Sequence, residues 1–182
     1  LDCSKEYMES LNSKEKEAFR FLHISTDEVY GDIDKNLPGV DETSPYKPSS
    51  PYSASKAASD HLIKAYYRTY GLPGIISNCS NNYGPFQHFE KFIPVIIKKL
   101  INNEKVPVYG DGLQVREWIY VDDHCDALLK LIKMGKPGEN YNIGSGIEMT
   151  NIDLIKSISI CLKNNFSFKD LDIKHNIDFI ED

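Results

Sequence analysis

The chain has 182 residues, a formal net charge of -6 and a pI near 5.4, with 41% hydrophobic and 11% aromatic residues; this suits a packed soluble domain and argues against a nucleic-acid surface, which asks for a basic stripe. No apolar run approaches the roughly 20 residues of a membrane helix, and the opening Leu1-Asp2-Cys3-Ser4-Lys5-Glu6 lacks the basic start and apolar stretch of a secretory signal. Cys3, Cys79, Cys125 and Cys161 form no C-x-x-C pair and no His stands at metal-ligand spacing, so the expectation is reduced thiols in a cytoplasmic protein, with no metal site and no disulfide framework.

Residues 3 to 19 are polar with apolar positions at Tyr7, Leu11 and Ala18, which predicts one weakly amphipathic helix. A strand follows at Phe21-Leu22-His23-Ile24-Ser25, and Gly31 turns the chain into a long exposed loop over 32 to 50. Pro51 starts a helix that runs through Tyr70 until Gly71-Leu72-Pro73 stops it. Gly74-Ile75-Ile76-Ser77-Asn78 reads as a buried strand and Asn81 to Pro85 as its turn. Beyond it the pattern predicts a helix over 92 to 102, a strand over 106 to 109, a strand over 116 to 121, a helix over 122 to 134, a strand over 141 to 144 and a helix over 152 to 162. No element is predicted over 163 to 182. Strands alternating with helices make this an α/β chain with a parallel sheet.

Tyr52 and Lys56 are four apart on a helix, so their side chains share a face one turn from each other. An ammonium near a phenol favours the phenolate and gives Tyr52 a route to removing an alcohol proton. The bland reading is an amphipathic helix with a packed Tyr and a solvated Lys. Small neighbours at Ser53, Ala54, Ser55, Ala57 and Ala58 leave room for a flat ligand. Thr26, Asp27 and Glu28 stand where a strand ends, the edge at which open parallel sheets bind ligands, although a polar loop start or helix cap would use the same residues. His23, Trp118 and the other tyrosines are read as core or loop.

Residues 21 to 31 (FLHISTDEVYG), Pro51-Tyr52-Ser53-Ala54-Ser55-Lys56 and Asn78-Cys79-Ser80-Asn81-Asn82-Tyr83-Gly84-Pro85 together resemble the dTDP-glucose 4,6-dehydratase family of extended short-chain dehydrogenases. Glu90 to Pro94, Pro107 to Gly110, Arg116-Glu117-Trp118 and Tyr141 to Gly144 continue the resemblance in order, over about residues 1 to 160. It implies a partial Rossmann-like parallel sheet with an interleaved smaller substrate-binding region: residues 1–85 as the C-terminal half of a dinucleotide-binding domain, and 86–182 as a nucleotide-sugar-binding region interleaved with late Rossmann elements. It implies an NAD-dependent lyase in which Tyr52, helped by Lys56 and Thr26, takes the hexose C4 hydroxyl proton. Glu28 then removes the C5 proton and Asp27 protonates the departing C6 hydroxyl. Asn78 and Ser80 are implied beside the nicotinamide, with Tyr52 and Lys56. Asn81, Lys91, Phe92, Pro107, Tyr109, Arg116 and Asn151, with Thr26, match positions that hold the nucleotide-sugar substrate. A homodimer built on the helices at 3 to 17 and 52 to 70 is implied as well.

The pattern departs from the family in one respect. A glycine-rich loop G-x-x-G-x-x-G is expected before these motifs, but the first glycine of this chain is Gly31, and the first residue is not Met. The chain is therefore expected to be an interior segment of a longer enzyme. The alternatives are a nucleotide-sugar 4-epimerase or decarboxylase of the same superfamily, from which Asp27-Glu28 separates it, and a catalytically silent fragment. Thymine and uracil nucleotides are not distinguished.

Overall fold

The computed structural model describes residues 1–33, 39–166 and 177–181. In chain order the elements are α1 (Asp2–Ser10), α2 (Ser13–Ala18), β1 (Phe21–Thr26), a 3-10 turn (Asp27–Tyr30), α3 (Pro51–Tyr70), β2 (Gly74–Cys79), β3 (Asn81–Tyr83), α4 (Phe92–Ile101), β4 (Val106–Tyr109), β5 (Val115–Tyr120), α5 (Val121–Met134), β6 (Asn140–Ile143), β7 (Glu148–Thr150), α6 (Asn151–Phe166) and β8 (Ile177–Ile180). They divide into two compact units, Leu1–Ser80 with Asp122–Gly144, and Asn81–Val121 with Ser145–Asp182. The architecture is α/β and Rossmann-like.

The first unit is a three-stranded parallel sheet in the order β1-β2-β6. All six residues of β2 are buried, as expected of a central parallel strand covered on both faces. Helix α3 makes the crossover from β1 to β2. It begins where Ser50 accepts the Ser53 N–H and Pro51 occupies the first turn, and it ends at Gly71 in the left-handed conformation (φ 69°). Its buried residues Ser53, Ala57, Asp60 and Ile63 form one stripe. The predicted single helix over 3 to 19 is instead two, because the Asn12 side chain accepts the Glu15 N–H and the Glu15 carboxylate accepts the Asn12 N–H. That capping box starts a new helix at Ser13.

The second unit holds β3-β5-β7, in which β3 is parallel and β7 antiparallel to β5, and the parallel pair β4-β8. Its core is Ile96, Leu100, Val106, Val108, Leu154, Ile155 and Leu162, where α4, β4 and α6 meet. Burying each large aliphatic side chain of this kind is worth about 1.5–3 kcal/mol. Three short strands here were not expected. Asn81 to Tyr83 pairs with Trp118 to Tyr120 rather than forming only a turn, and β7 and β8 pair with β5 and β4. Part of the loop expected over 32 to 50 and much of 163 to 182 lie outside the described residues.

Candidate active site

The site-forming residues of the first unit gather at the C-terminal end of β1. After Thr26 the chain enters a 3-10 turn whose start is capped by the Thr26 hydroxyl, which accepts the Glu28 N–H at 3.3 Å. Val29 and Tyr30 are buried against Ala57 of α3, with Val40 and Tyr46 packed around them. This anchor leaves Asp27 part-exposed and Glu28 exposed at the sheet edge. Gly31 (φ 78°) closes the turn, and a Cβ there would stand 2.0 Å from the Lys47 carbonyl oxygen, so only glycine fits.

Tyr52 and Lys56 come from the first two turns of α3. Tyr52 is 56% exposed, so its phenol is open to a ligand. Its pKa is pushed above the ordinary value by partial burial and by the charges of Glu28, Cys79 and Asp27. This is opposite to the lowering expected from Lys56. The Lys56 ammonium is directed to the β1 backbone, where its Nζ donates to the Ile24 carbonyl at 2.7 Å. The Thr26 hydroxyl donates to Asp27 Oδ1 at 3.2 Å, not to Tyr52. The carboxylates of Asp27 and Glu28 act electrostatically on the phenol, and the five expected catalytic residues all belong to the first unit.

Asn78 and Ser80 are both buried at the end of β2. Asn78 is 1% exposed, and its amide donates to the Thr26 carbonyl (3.2 Å) and to Asp60 Oδ2 (3.1 Å). Ser80 anchors the sheet by donating its N–H to the Ile143 carbonyl.

Asp60 was not singled out by any motif, yet it is the polar centre of this unit. It is 0% exposed, accepts from Ser25 Oγ (3.0 Å), Tyr46 Oη (2.9 Å) and Asn78 Nδ2 (3.1 Å), and has the His23 Nε2 3.1 Å from Oδ1. The last contact has ion-pair distance without the alignment of a hydrogen bond. Burial alone would push this carboxyl up; the adjacent His23 and the donors Ser25, Tyr46 and Asn78 outweigh it and hold it below the ordinary value. The signal in sequence was its place on the stripe 53-57-60-63, which a solvated acid would not occupy.

The expected substrate-holding residues other than Thr26 all lie in the second unit. Asn81 of β3 donates through Nδ2 to the Glu117 carbonyl (3.3 Å), and Asn151, first residue of α6, donates to Gln114 Oε1 (3.3 Å). Phe92 packs on the core. Pro107 is half-buried on β4, while Tyr109, Lys91 and Arg116 are exposed. The Arg116 Nη1 donates to the Val115 carbonyl at 2.9 Å. Among the described residues no hydrogen bond, ion pair or ring contact joins Lys91, Tyr109 and Arg116 to one another. Exposed as they are, they can meet an anionic or planar ligand, Arg116 through its remaining guanidinium N–H groups.

Comparison with known proteins places this arrangement in context. The chain is 49% identical over 180 residues to a dTDP-glucose 4,6-dehydratase from Haemophilus influenzae, covering 99% of this chain and 53% of that one. It superposes on the crystal structure of a Bacillus anthracis dTDP-glucose 4,6-dehydratase in complex with NAD with a TM-score of 0.82 and 40% identity, covering 98% of this chain and 54% of the other. A UDP-glucuronic acid 4-epimerase from Bacillus cereus gives a TM-score of 0.78 at 26% identity over 98% of this chain and 53% of the other. The chain thus spans about half the length of the relatives it matches. The sequence pattern of the NAD dependent epimerase/dehydratase family matches residues 6–144, which include the whole of the first unit's described site, and the chain belongs to that family.

Proposed function

We propose that the chain carries the catalytic half of an NAD-dependent nucleotide-sugar 4,6-dehydratase, converting a nucleotide-activated glucose to its 4-keto-6-deoxy sugar with loss of water. The observation that carries this reading is the pair Asp27-Glu28, held beside Tyr52 by the buried anchor of Val29 and Tyr30. The similarity to dTDP-glucose 4,6-dehydratases at about half identity supports it, and the epimerase relatives are more distant.

The residues present fit the nicotinamide end of a dinucleotide. Tyr52 is open, Lys56 lies one turn along, and both stand at the C-terminal edge of a parallel sheet, where such ligands bind. Tyr52, Lys56, Asn78 and Ser80 are the residues proposed to line that end, the buried Asn78 through the backbone it supports. When bound, NAD supplies the hydride acceptor and donor. Tyr52 removes the C4 hydroxyl proton. The C4 ketone acidifies the C5 hydrogen, which Glu28 takes, while Asp27 protonates the C6 hydroxyl as it departs as water. Two adjacent carboxyls can divide these tasks because ionising one disfavours ionising the other. Burial and these carboxylates disfavour the Tyr52 phenolate, so the Lys56 ammonium must be shared with Tyr52 during turnover. In the second unit Lys91 and Arg116 would hold the diphosphate, with Asn81, Phe92, Pro107, Tyr109 and Asn151 around the nucleotide. Residues 1–85 are read as the catalytic part of the dinucleotide-binding domain and 86–182 as the interleaved substrate region.

The protein is proposed to act in the cytoplasm, where NAD and nucleotide sugars are available, and as a homodimer. The exposed Tyr7 of α1 and Leu62 and Tyr70 of α3 support the latter, on helices tied together by Tyr66 Oη donating to Asp2 (2.7 Å). A monomer by light scattering at micromolar concentration contradicts the dimer. No described helix is long and apolar enough to cross a membrane. The decisive assay is incubation of the full-length protein with NAD and dTDP-glucose or UDP-glucose, followed by the alkali-induced absorbance of a 4-keto-6-deoxy sugar. Product with either sugar supports the reading and shows the base; no product with both overturns it.

A further inference from the structure

We infer that Asp60 is a positioning residue for catalysis, a buried carboxylate that sets the register of α3 on β1 and thereby holds Tyr52, Lys56 and Thr26 in place; this rests on the function proposed above. A carboxylate with no exposure is costly unless its oxygens are satisfied. Here the donors to Oδ2 come from three separate segments, Ser25 on β1, Asn78 on β2 and Tyr46 on the loop after the 3-10 turn, while His23 of β1 stands 3.1 Å from Oδ1. Two consecutive β1 residues are then gripped by two residues one helical turn apart. Lys56 Nζ takes the Ile24 carbonyl and Asp60 takes the Ser25 hydroxyl.

This double grip decides the geometry of the site. Slipping α3 by one residue would rotate it by about 100°, breaking both contacts and turning Tyr52 away from Glu28 and Asp27. Asn78 extends the grip to the strand end, since one amide group donates to both Asp60 Oδ2 and the Thr26 carbonyl. Asp60 fixes which way that amide points, because only its nitrogen can serve two acceptors. Tyr46 ties the turn to the assembly: its ring packs edge-on at 5.3 Å to Tyr30, the last residue of the turn that carries Asp27 and Glu28. Asp60 touches neither reacting atoms nor substrate in this arrangement, and it acts through the residues that do.

The test is Asp60→Asn in the full-length enzyme, assayed with NAD and the nucleotide sugar that the unmutated enzyme accepts. The isosteric amide keeps the volume but brings an NH2 group against donors. The expected result is a 10- to 100-fold fall in kcat, the scale of a misplacement of about 1 Å in a catalytic group, with KM for the nucleotide sugar within about twofold. A folded Asp60→Asn enzyme of normal kcat, or one changed only in KM, overturns the inference. Should Asp60→Asn fail to fold, Tyr46→Phe removes one donor alone, and the same kcat-only loss, smaller in size, is expected; unchanged kcat there overturns it. Inactivity of the unmutated enzyme would strike the proposed function, not this inference, which crystal structures of the two proteins then decide. Separation of Lys56 Nζ from the Ile24 carbonyl in Asp60→Asn supports the clamp, and an unmoved Lys56 overturns it.

Discussion

The two units hold their proposed functional residues by opposite means. In the first, the side chains at the end of β1 are committed: Thr26 caps a turn, Lys56 is bound to backbone, and Asn78 is spent on Asp60 and Thr26. Even the floor of that site is polar, centred on a buried carboxylate. In the second, the buried cluster is aliphatic, and of the residues proposed to meet the nucleotide Lys91, Tyr109 and Arg116 stand exposed on the surface. Proton transfer tolerates little displacement, so its groups are fixed before a ligand arrives. Gripping a diphosphate requires only charge and reach, which long side chains provide when the ligand arrives.

Three substitutions test whether that contrast is real, in order of effect. Tyr52→Phe should lower kcat about 10³-fold, within the range of a general base, with the sugar KM unchanged; a loss carried in KM would move Tyr52 out of the chemistry. Ile155→Ala, in the fully buried core of the second unit, should cost about 2–5 kcal/mol. Denaturant unfolding followed at Trp118, which packs on that core, reads it directly. Arg116→Ala should raise KM for the nucleotide sugar about 10-fold, the worth of a charge-assisted hydrogen bond, and leave kcat alone. A fall in kcat instead would show that the second unit is as preorganised as the first.

How far sequence reasoning reached follows the same divide. Strand β1, helix α3 and strand β2 were legible because Pro51 and Gly71 bracket a helix without a breaker and each of the two strands carries an apolar stretch. Strands β3, β7 and β8 were not, since three or four residues carry no period and exist only through their partners β5 and β4. The break at Asn12 was readable in principle from Asn12-x-x-Glu15, but the weak apolar stripe ran across it. In the site, the spacing of Tyr52 and Lys56 on one helix was legible, but sequence distance cannot show that the Lys56 ammonium donates to the Ile24 carbonyl. Asp60 escaped for a related reason, because an acid in a helix is read as solvated until its stripe is counted.

Mild acid gives the smallest and most selective way to separate the units. His124, in the part of α5 that belongs to the first unit, is 6% exposed, and burial holds its pKa below the ordinary 6.5. The unfolded chain therefore takes up this proton first as pH falls below 6.5, and the folded state loses stability from that point downward. Asp60 has the opposite charge but the same sign of effect: its folded pKa lies below 3.8, so its contribution is complete above that value and is lost as pH falls through the folded one. Two windows result. Thermal melts at pH 7 and pH 5 should show a small fall for the unmutated protein, which His124→Asn diminishes, because the amide does not titrate. Below pH 4, a second and steeper loss should appear that Asp60→Asn lacks. In the second unit Asp153 and Glu104 also lie below their ordinary values, through hydrogen bonds from Lys156 and Lys99, yet both are exposed and salt should screen them. Added salt that abolished the acid loss below pH 4 would place it on those surface pairs instead of on the buried carboxylate.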